Sequence, residues 1–478
     1  MDYSLLYLLG TIFVCLCVPL LIFLVGRKRH GQRYEGLPQG KLGLPVVGES
    51  LEYLSLGKQG KPEKFVWDRM QKYSREVFKT SLLKEKMVVF CGAPGNKFLF
   101  SNENKLVISW WPSTITRIFK TMEGSLQLRG VLYEFLKIEP LRKYIPVIDY
   151  MAKQHLKEKW CNKGQVLAFE ELKNFTFEVV CRLFLSVEKP ETVATLLKHF
   201  NCIIEGFFAL PIDLPGTTLN RAIKASKTLQ TWFSAIIKQR RMELTQKGEA
   251  AARDILSHMI VMTDTEGLFV DDMDIATKLV GLFVGSHEST STTITFILKY
   301  LAENLHVYEK VFQEQQEIAK SKREGEPLNW EDIQKMRYSW NVACETMRLR
   351  PPVGGTFREA ITDFTYAGFT IPKGWKIHWN AYTTHKDPKY FSNPNEFDPS
   401  RFEDGAPPFT FVPFGGGPRI CPGREFARLV ILIFLHNVVN KFRWEKLAPF
   451  ERITCVSAPT PEEGFPICLK PHVNTIVH

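Results

Sequence analysis

One stretch limits the folds open to this chain more than any other: Phe414-Gly-Gly-Gly-Pro-Arg-Ile-Cys-Pro-Gly423. Four glycines, Gly415, Gly416, Gly417 and Gly423, surround Cys421. Glycine tolerates positive φ and lets a flat ligand approach the backbone closely. Pro422-Gly423 then turns the chain before an apolar-periodic segment, Phe426 to Phe434, that reads as a helix. A thiolate ahead of such a helix is stabilised by unpaired backbone N–H groups and the positive helix end. Arg419 adds a cation able to hold an anionic edge of the ligand. The plainer alternative is a buried cysteine in a glycine-rich turn.

With 478 residues the chain can bury a large core. No Ser/Gly tract, charge block or internal repeat marks an interior linker, so one compact body is expected over 46–478. Ahead of it, Tyr3 to Gly26 carries no charge, a run long enough to span a bilayer as a helix. Arg27-Lys28-Arg29 follow at once, whereas Asp2 is the only charge before it. The positive-inside rule keeps the basic cluster and all that follows on the cytosolic side. A cleaved signal peptide fits less well, because the basic n-region and a small-x-small cleavage site are missing. The expectation is a single-pass anchor over 1–26 in the endoplasmic reticulum membrane, then a basic, proline-containing elbow over 27–45.

Ten cysteines are scattered without C-x-x-C spacing, as suits a reduced cytosolic body. The formal net charge of +11 raises the question of nucleic acid. However, the basic residues are dispersed through amphipathic helices, with no basic stripe carrying interleaved aromatics. No nucleic acid is expected; an anionic membrane and an acidic partner account for the charge.

Periodicity predicts helices over Leu141 to Trp160, Glu170 to Phe184, Ala222 to Thr245 and Asp271 to Asn304. Another is predicted over Trp330 to Arg350, with Asn329 as N-cap and Asp332 at its third position. Val77 to Leu82 and Met87 to Cys91 read as a hairpin with a Lys84-Glu85-Lys86 turn. Short strands are predicted at Phe364 to Tyr366, Thr370 to Ile371 and Trp375 to Trp379. The expected class is mainly α with small β-sheets.

Several motifs carry chemistry. Glu345-Thr-Met-Arg348 places a carboxylate and a guanidinium on one helix face, which alone reads as a surface ion pair. Gly285 sits in mid-helix at a cost of about 1 kcal/mol against alanine, and the plain reason for it is a tight packing contact. His287 has no second metal ligand at suitable spacing and reads as a cavity-lining histidine. Arg358 stands beside Glu359 and reads by itself as a surface arginine.

Taken whole, F-x-x-G-x-R-x-C-x-G resembles the haem-binding loop of the cytochrome P450 monooxygenases. The resemblance runs from Lys41 onward and implies the P450 fold, haem b as cofactor and Cys421 as the iron's axial ligand. Phe414, Arg419 and Gly423 belong to the same cofactor-binding loop. It implies that Glu345, Arg348 and Arg401, the last in Phe397-Asp-Pro-Ser-Arg401-Phe402, form a buried charged triad behind the haem. Arg358 and Arg129 match family arginines that pair with haem propionates, with Val353 to Thr356 lining the substrate cavity. The segment between Phe119 and Arg129 is shorter than in close relatives. The family reading of Gly285 is a local opening of the long helix where O₂ sits, followed by an acid–alcohol pair that organises protons. Relatives carry Asp-Thr there, and this chain has Glu288-Ser289, which keeps both functional groups.

Further segments are similar to the plant terpenoid and steroid branch, in particular to the triterpenoid, beta-amyrin 28-oxidase-like family. They include Gly43-Leu-Pro-Val-Val-Gly-Glu49, Ser101-Asn-Glu-Asn-Lys105, Leu210-Pro-Ile-Asp-Leu-Pro-Gly216 and Thr384-His-Lys386. The resemblance implies oxidation of an apolar oleanane, ursane, lupane or dammarane scaffold with O₂. Electrons would come from NADPH–cytochrome P450 reductase, docking around Arg419, Arg424 and Arg428, since the chain has no G-x-G-x-x-G loop of its own. Alternatives are oxidation of a diterpenoid or steroid, a haem-thiolate lyase or isomerase, and a haem-binding sensor or electron carrier.

Overall fold

A computed structural model describes residues 36–44, 47–119, 125–248, 254–266 and 271–472. The anchor over 1–26, most of the elbow and the stretch 120–124 lie outside the described residues. Among the described residues, no helix is long and apolar enough to cross a membrane. Two compact units emerge. The first is built from the described parts of 1–56, 62–110 and 355–383, the second from 57–61, 111–354 and those of 384–478.

The first unit centres on a five-stranded sheet. Its order is Val77–Leu82, Glu85–Phe90, Lys376–Asn380, Gly355–Ala360, Val107–Trp110. The second and third strands are parallel and the other neighbours antiparallel. Phe65, Val66 and Met70 of the helix Pro62–Lys72 pack with Phe78, Met87 and Val89 of the sheet. The predicted Lys84-Glu85-Lys86 turn is corrected. Leu82 pairs with Glu85, so the turn is Leu83-Lys84 alone, at φ 55° and 69°. Both central residues lie in the left-handed region that a two-residue hairpin demands, although neither is glycine or asparagine. The Leu83 N–H donates to Ser50 Oγ at 2.9 Å, which ties the turn down. Gly355 is obligatory here: a Cβ would lie 2.0 Å from the Trp379 carbonyl oxygen of the neighbouring strand.

The second unit is helical. The helix Asp272–Glu303 runs through it, started by Asp271, whose side chain accepts from the Asp274 N–H at 2.8 Å. Around its first half packs an aromatic cluster of Phe177, Phe184, Phe200, Phe233 and Phe283. The helices Ala168–Leu185, Thr218–Lys247 and Arg424–Lys441 enclose the same core. The strand Gln165–Leu167 pairs antiparallel with Pro466–Pro471, which also pairs with Phe442–Lys446.

Two predicted helices are broken. Leu141 to Trp160 becomes Ile138–Arg142, Ile145–His155 and a π-turn over Leu156–Trp160. Pro146, lacking an N–H, sits in the first turn of Ile145–His155 and marks a start rather than an interior. Trp330 to Arg350 becomes Trp330–Lys335 and Arg337–Leu349. The first part has the expected Asn329–Asp332 capping box. The second is capped from outside: Glu314 accepts from the N–H groups of Tyr338 (2.7 Å) and Ser339 (3.0 Å). A carboxylate at a helix N-terminus satisfies orphan donors and meets the positive helix end, which makes a second start favourable.

Candidate functional site

The cysteine loop is built by its own backbone. The Cys421 N–H donates to the Phe414 carbonyl at 2.8 Å, Gly415 N–H to Val412 at 3.0 Å and Ile420 N–H to Gly417 at 3.0 Å. Gly415 and Gly417 adopt φ of 70° and 62°, which a side chain would resist. Gly423 does not need that freedom: its φ is −86°, and a Cβ there would only approach Cys421 Sγ, at 3.8 Å. The helix that follows runs over Arg424–Lys441, and Cys421 stands just ahead of its N-cap.

Electrostatics at the sulfur are opposed. Burial pushes the Cys421 thiol up, while a hydrogen bond from the Gly423 N–H and the charges of Arg129 and Arg424 pull it down. Burial prevails, so a cation bound at the sulfur would be needed to hold the thiolate. Arg129 reaches the loop directly: Nη1 and Nη2 donate to the Ile420 carbonyl at 2.8 and 3.0 Å. Arg419 lies in the 3₁₀ turn Gly417–Arg419. Phe414 packs against Cys344, Met347, Phe391 and Phe402.

Beneath the loop lies a buried network. Glu345 and Arg348 are fully buried and joined as a fork, Nε to Oε2 at 2.6 Å and Nη2 to Oε1 at 2.7 Å. The residues-only reading of a surface pair is thereby overturned. Arg401 Nε stands 3.4 Å from Glu345 Oε1. Arg348 Nη1 also donates to the carbonyls of His385 (2.8 Å) and Pro394 (2.7 Å). His385 Nε2 in turn accepts from the Val412 N–H at 2.9 Å, two residues before Phe414. Burial and the Arg348 charge hold the His385 imidazole neutral, its pKa lowered to about 3. The acceptor lone pair on Nε2 is therefore retained, and the ion pair is wired to the cysteine loop through one imidazole.

On the long helix the expected opening at Gly285 is absent; the helix is continuous from Asp272 to Glu303. Hydroxyls of Ser286, Ser289, Thr290 and Thr293 donate to carbonyls one turn back instead, which leaves the ladder unbroken. Tight packing does not explain the glycine either. A Cβ on Gly285, or on Gly281 one turn earlier, would meet nothing within 4 Å beyond its own helix. The two leave a bare strip where a flat group can lie against the backbone.

Glu288 and Ser289 are used differently. Ser289 Oγ donates to the Gly285 carbonyl at 3.2 Å. Glu288 lines an open cleft of about 740 Å³ together with Glu170, Lys173, Asn201, Glu205 and Leu210. Its Oε2 stands 3.8 Å from Lys173 Nζ and makes no hydrogen bond. Burial raises the Glu288 carboxyl above the ordinary carboxylate range, with Lys173 opposing. His287 does not line that cleft; it is buried, its Nδ1 2.8 Å from the Phe283 carbonyl and its ring edge-on to Phe177. In the first unit Arg358 is buried and its Nε donates to Glu103 Oε2 at 2.5 Å; Glu359 pairs with Lys376 instead. Thr356 is committed to Arg358 and to Trp379 Nε1 rather than offered to a ligand.

Sequence reasoning missed His385, Lys173 and Glu103. The first and last stood in segments already noted, but their partners are far along the chain.

A half-buried cysteine stands in a loop shaped by two positive-φ glycines and joined to a buried Glu–Arg fork, an arrangement compatible with a haem-thiolate protein. The chain belongs to the cytochrome P450 family, whose pattern matches residues 38–465. It is a monooxygenase of that family, with haem b as cofactor. The beta-amyrin 28-monooxygenase of Vitis vinifera is 52% identical over 98% of this chain and 99% of its own length. That of Kalopanax septemlobus is 53% identical over 91% and 92%. Cytochrome P450 716A2 of Arabidopsis thaliana is 50% identical over 94% and 96%. Among solved structures, retinoic acid-bound cyanobacterial CYP120A1 superposes with a TM-score of 0.81 at 30% identity, covering 91% of this chain and 100% of that one.

Proposed function

We propose that this chain oxidises a triterpenoid of the beta-amyrin type, placing one atom of O₂ in the substrate and releasing the other as water. Two electrons and two protons balance the reaction, the electrons drawn from NADPH by a reductase. The observation that carries the reading is Cys421 held ahead of a helix by a loop wired to the Glu345–Arg348 fork. The names of relatives about half identical over nearly the whole chain support the substrate class and make carbon 28 the first position to test.

The residues fit the cofactor: a cysteine sulfur with a backbone donor, Arg129 at the loop, and a helix strip bare of Cβ atoms. Bound haem supplies oxygen activation and electron uptake, and the Cys421 thiolate lends it electron density. The chain's own contribution is proton handling. Glu288, raised by burial and held beside Lys173, can carry a proton from the cleft toward the helix interior. Arg419, Arg424 and Arg428 are the proposed docking face for the reductase. Glu425 pairs with both Arg424 (3.1 Å) and Arg428 (3.5 Å), which makes that face mixed rather than purely basic. The uncharged run Tyr3 to Gly26 would tether the enzyme to the endoplasmic reticulum membrane.

The test is expression in yeast with a reductase and a beta-amyrin synthase, read by mass spectrometry. An oxygenated triterpene that requires NADPH is expected, and its loss in Cys421→Ser together with the thiolate-type carbon monoxide band. Product formed without NADPH would point to a lyase or isomerase. No oxygenated product from oleanane, ursane, lupane or dammarane scaffolds would remove the substrate class.

A further inference from the structure

The cleft lined by Glu288 lies wholly within the second unit. There the helices Ala168–Leu185, Pro190–Gly206 and Asp272–Glu303 meet the segment 207–217 and the hairpin of Ile453–Cys455 with Pro459–Pro461. Its volume of about 740 Å³ falls within the span of small-molecule sites, about 300–1,000 Å³. Phe208, Leu210, Ile212 and Val456 give it an apolar wall suited to a fused hydrocarbon ring system.

Its charge is less expected for so apolar a guest. The charged residues of the lining are Glu170, Glu205, Glu288 and Lys173, so the lining stays negative whether Glu288 is ionised or protonated. The ammonium is turned inward: Lys173 Nζ lies 5.3 Å above the Phe169 ring and 3.8 Å from Glu288 Oε2, with its side chain 15% exposed. Glu170 and Glu205 are exposed. Arg221 comes within 3.9 Å of Glu205 but stands outside the lining, and an ion pair so exposed is worth little. Hydrogen bonding points the same way. Asn201 Oδ1 and Glu288 Oε2, both on lining residues, are buried and make no hydrogen bond among the described residues. A hydroxyl can donate to such an oxygen, whereas a carboxylate only accepts.

We propose that this cleft takes up the triterpenoid only in uncharged form, with Glu170 and Glu205 as the residues that turn away a scaffold carrying a carboxylate. The proposal rests on the triterpenoid reading and narrows it to neutral scaffolds. Apolar walls leave little water between the lining and its guest, so the carboxylates are felt more strongly than on an open surface. Neutral and anionic scaffolds gain alike from the apolar wall; only the anion meets the opposing field.

The test uses the purified holoprotein in detergent at neutral pH and low salt, with binding read from the shift of its Soret band. The probes are beta-amyrin, its 28-carboxylic acid and the methyl ester of that acid. The ester should bind about tenfold more tightly than the acid, a modest gap for like charges brought together. Added salt should narrow the gap. Glu170→Gln with Glu205→Gln should close most of it by strengthening the acid, and Glu205→Lys should strengthen the acid further. Both side chains are exposed, so these exchanges leave the core untouched. An acid that binds as well as the ester, or a gap indifferent to salt or to the double variant, would overturn the charge selection while leaving the triterpenoid reading in place. No shift with beta-amyrin or with the ester would remove that reading, and the proposal with it.

Discussion

At the scale of single residues, the cysteine and the carboxylate of the long helix illustrate two kinds of legibility. Cys421 was readable because the features that mark it are local: glycines, a proline and the coming helix stand within a few positions, although Arg129 and His385, which brace the loop, do not. Glu288 was readable as a carboxylate in a suggestive place, but its surroundings were not. Lys173, on the helix Ala168–Leu185, stands 3.8 Å away and opposes the burial that favours the protonated carboxyl. If Glu288 passes protons inward, Glu288→Gln should form far less product per NADPH while binding substrate normally. Removing a general acid typically costs about 10²–10⁴-fold, less where water offers a parallel route. Glu288→Asp with Ser289→Thr keeps both groups and should preserve coupling. Product per NADPH, measured with peroxide release, decides; unchanged coupling in the Gln variant would place the proton path elsewhere.

Among elements, the pattern fixed type and rough extent, while the errors came from partners remote in sequence. Trp330 to Arg350 reads as one helix because nothing inside it announces a break; the Glu314 carboxylate that starts the second half belongs to another helix. The hairpin turn was misplaced for a different reason: Leu83-Lys84 lacks the glycine or asparagine that such turns prefer. Left-handed conformations cost an ordinary residue roughly 1–2 kcal/mol. Lys84→Gly should therefore raise stability by up to about 1 kcal/mol, glycine's extra freedom when unfolded offsetting part of the gain. A urea midpoint that rises without a change in slope would show it; a fall would mean that Lys84 holds the turn by other contacts. The spacing of Glu345 and Arg348 was legible, but not their burial, which depends on the segment from His385 to Arg401 closing over them. Arg348→Ala strands a buried carboxylate at about 3–5 kcal/mol and removes the support of the cysteine loop. Haem-loaded protein should be nearly absent in that variant, and a normal yield would contradict the network's importance.

For the whole molecule, the mainly helical class with small sheets was evident from periodicity, whereas the buried titratable groups were not. Among the described residues, burial lowers His287, His378 and His436 to about 4 and His385 to about 3, from an ordinary 6.5. Below pH 6.5 the unfolded chain takes up protons that the folded one refuses. The stability these groups confer is therefore complete above 6.5 and falls as pH drops toward their folded values. One pKa unit is about 1.4 kcal/mol, so each histidine contributes on the order of 3 kcal/mol. The urea midpoint should fall steadily between pH 6.5 and 5, before exposed carboxylates titrate. A midpoint flat across that window would mean that these rings gain protons without unfolding. The pairing of Gln165–Leu167 with Pro466–Cys468 bears on how such a chain is made. On the ribosome the early strand has no neighbour until the late one emerges, which happens only after Cys421 has left the exit tunnel. Through that interval the edge stays open to pairing with another chain, so this sheet closes only after Cys421 and the helix behind it are already outside.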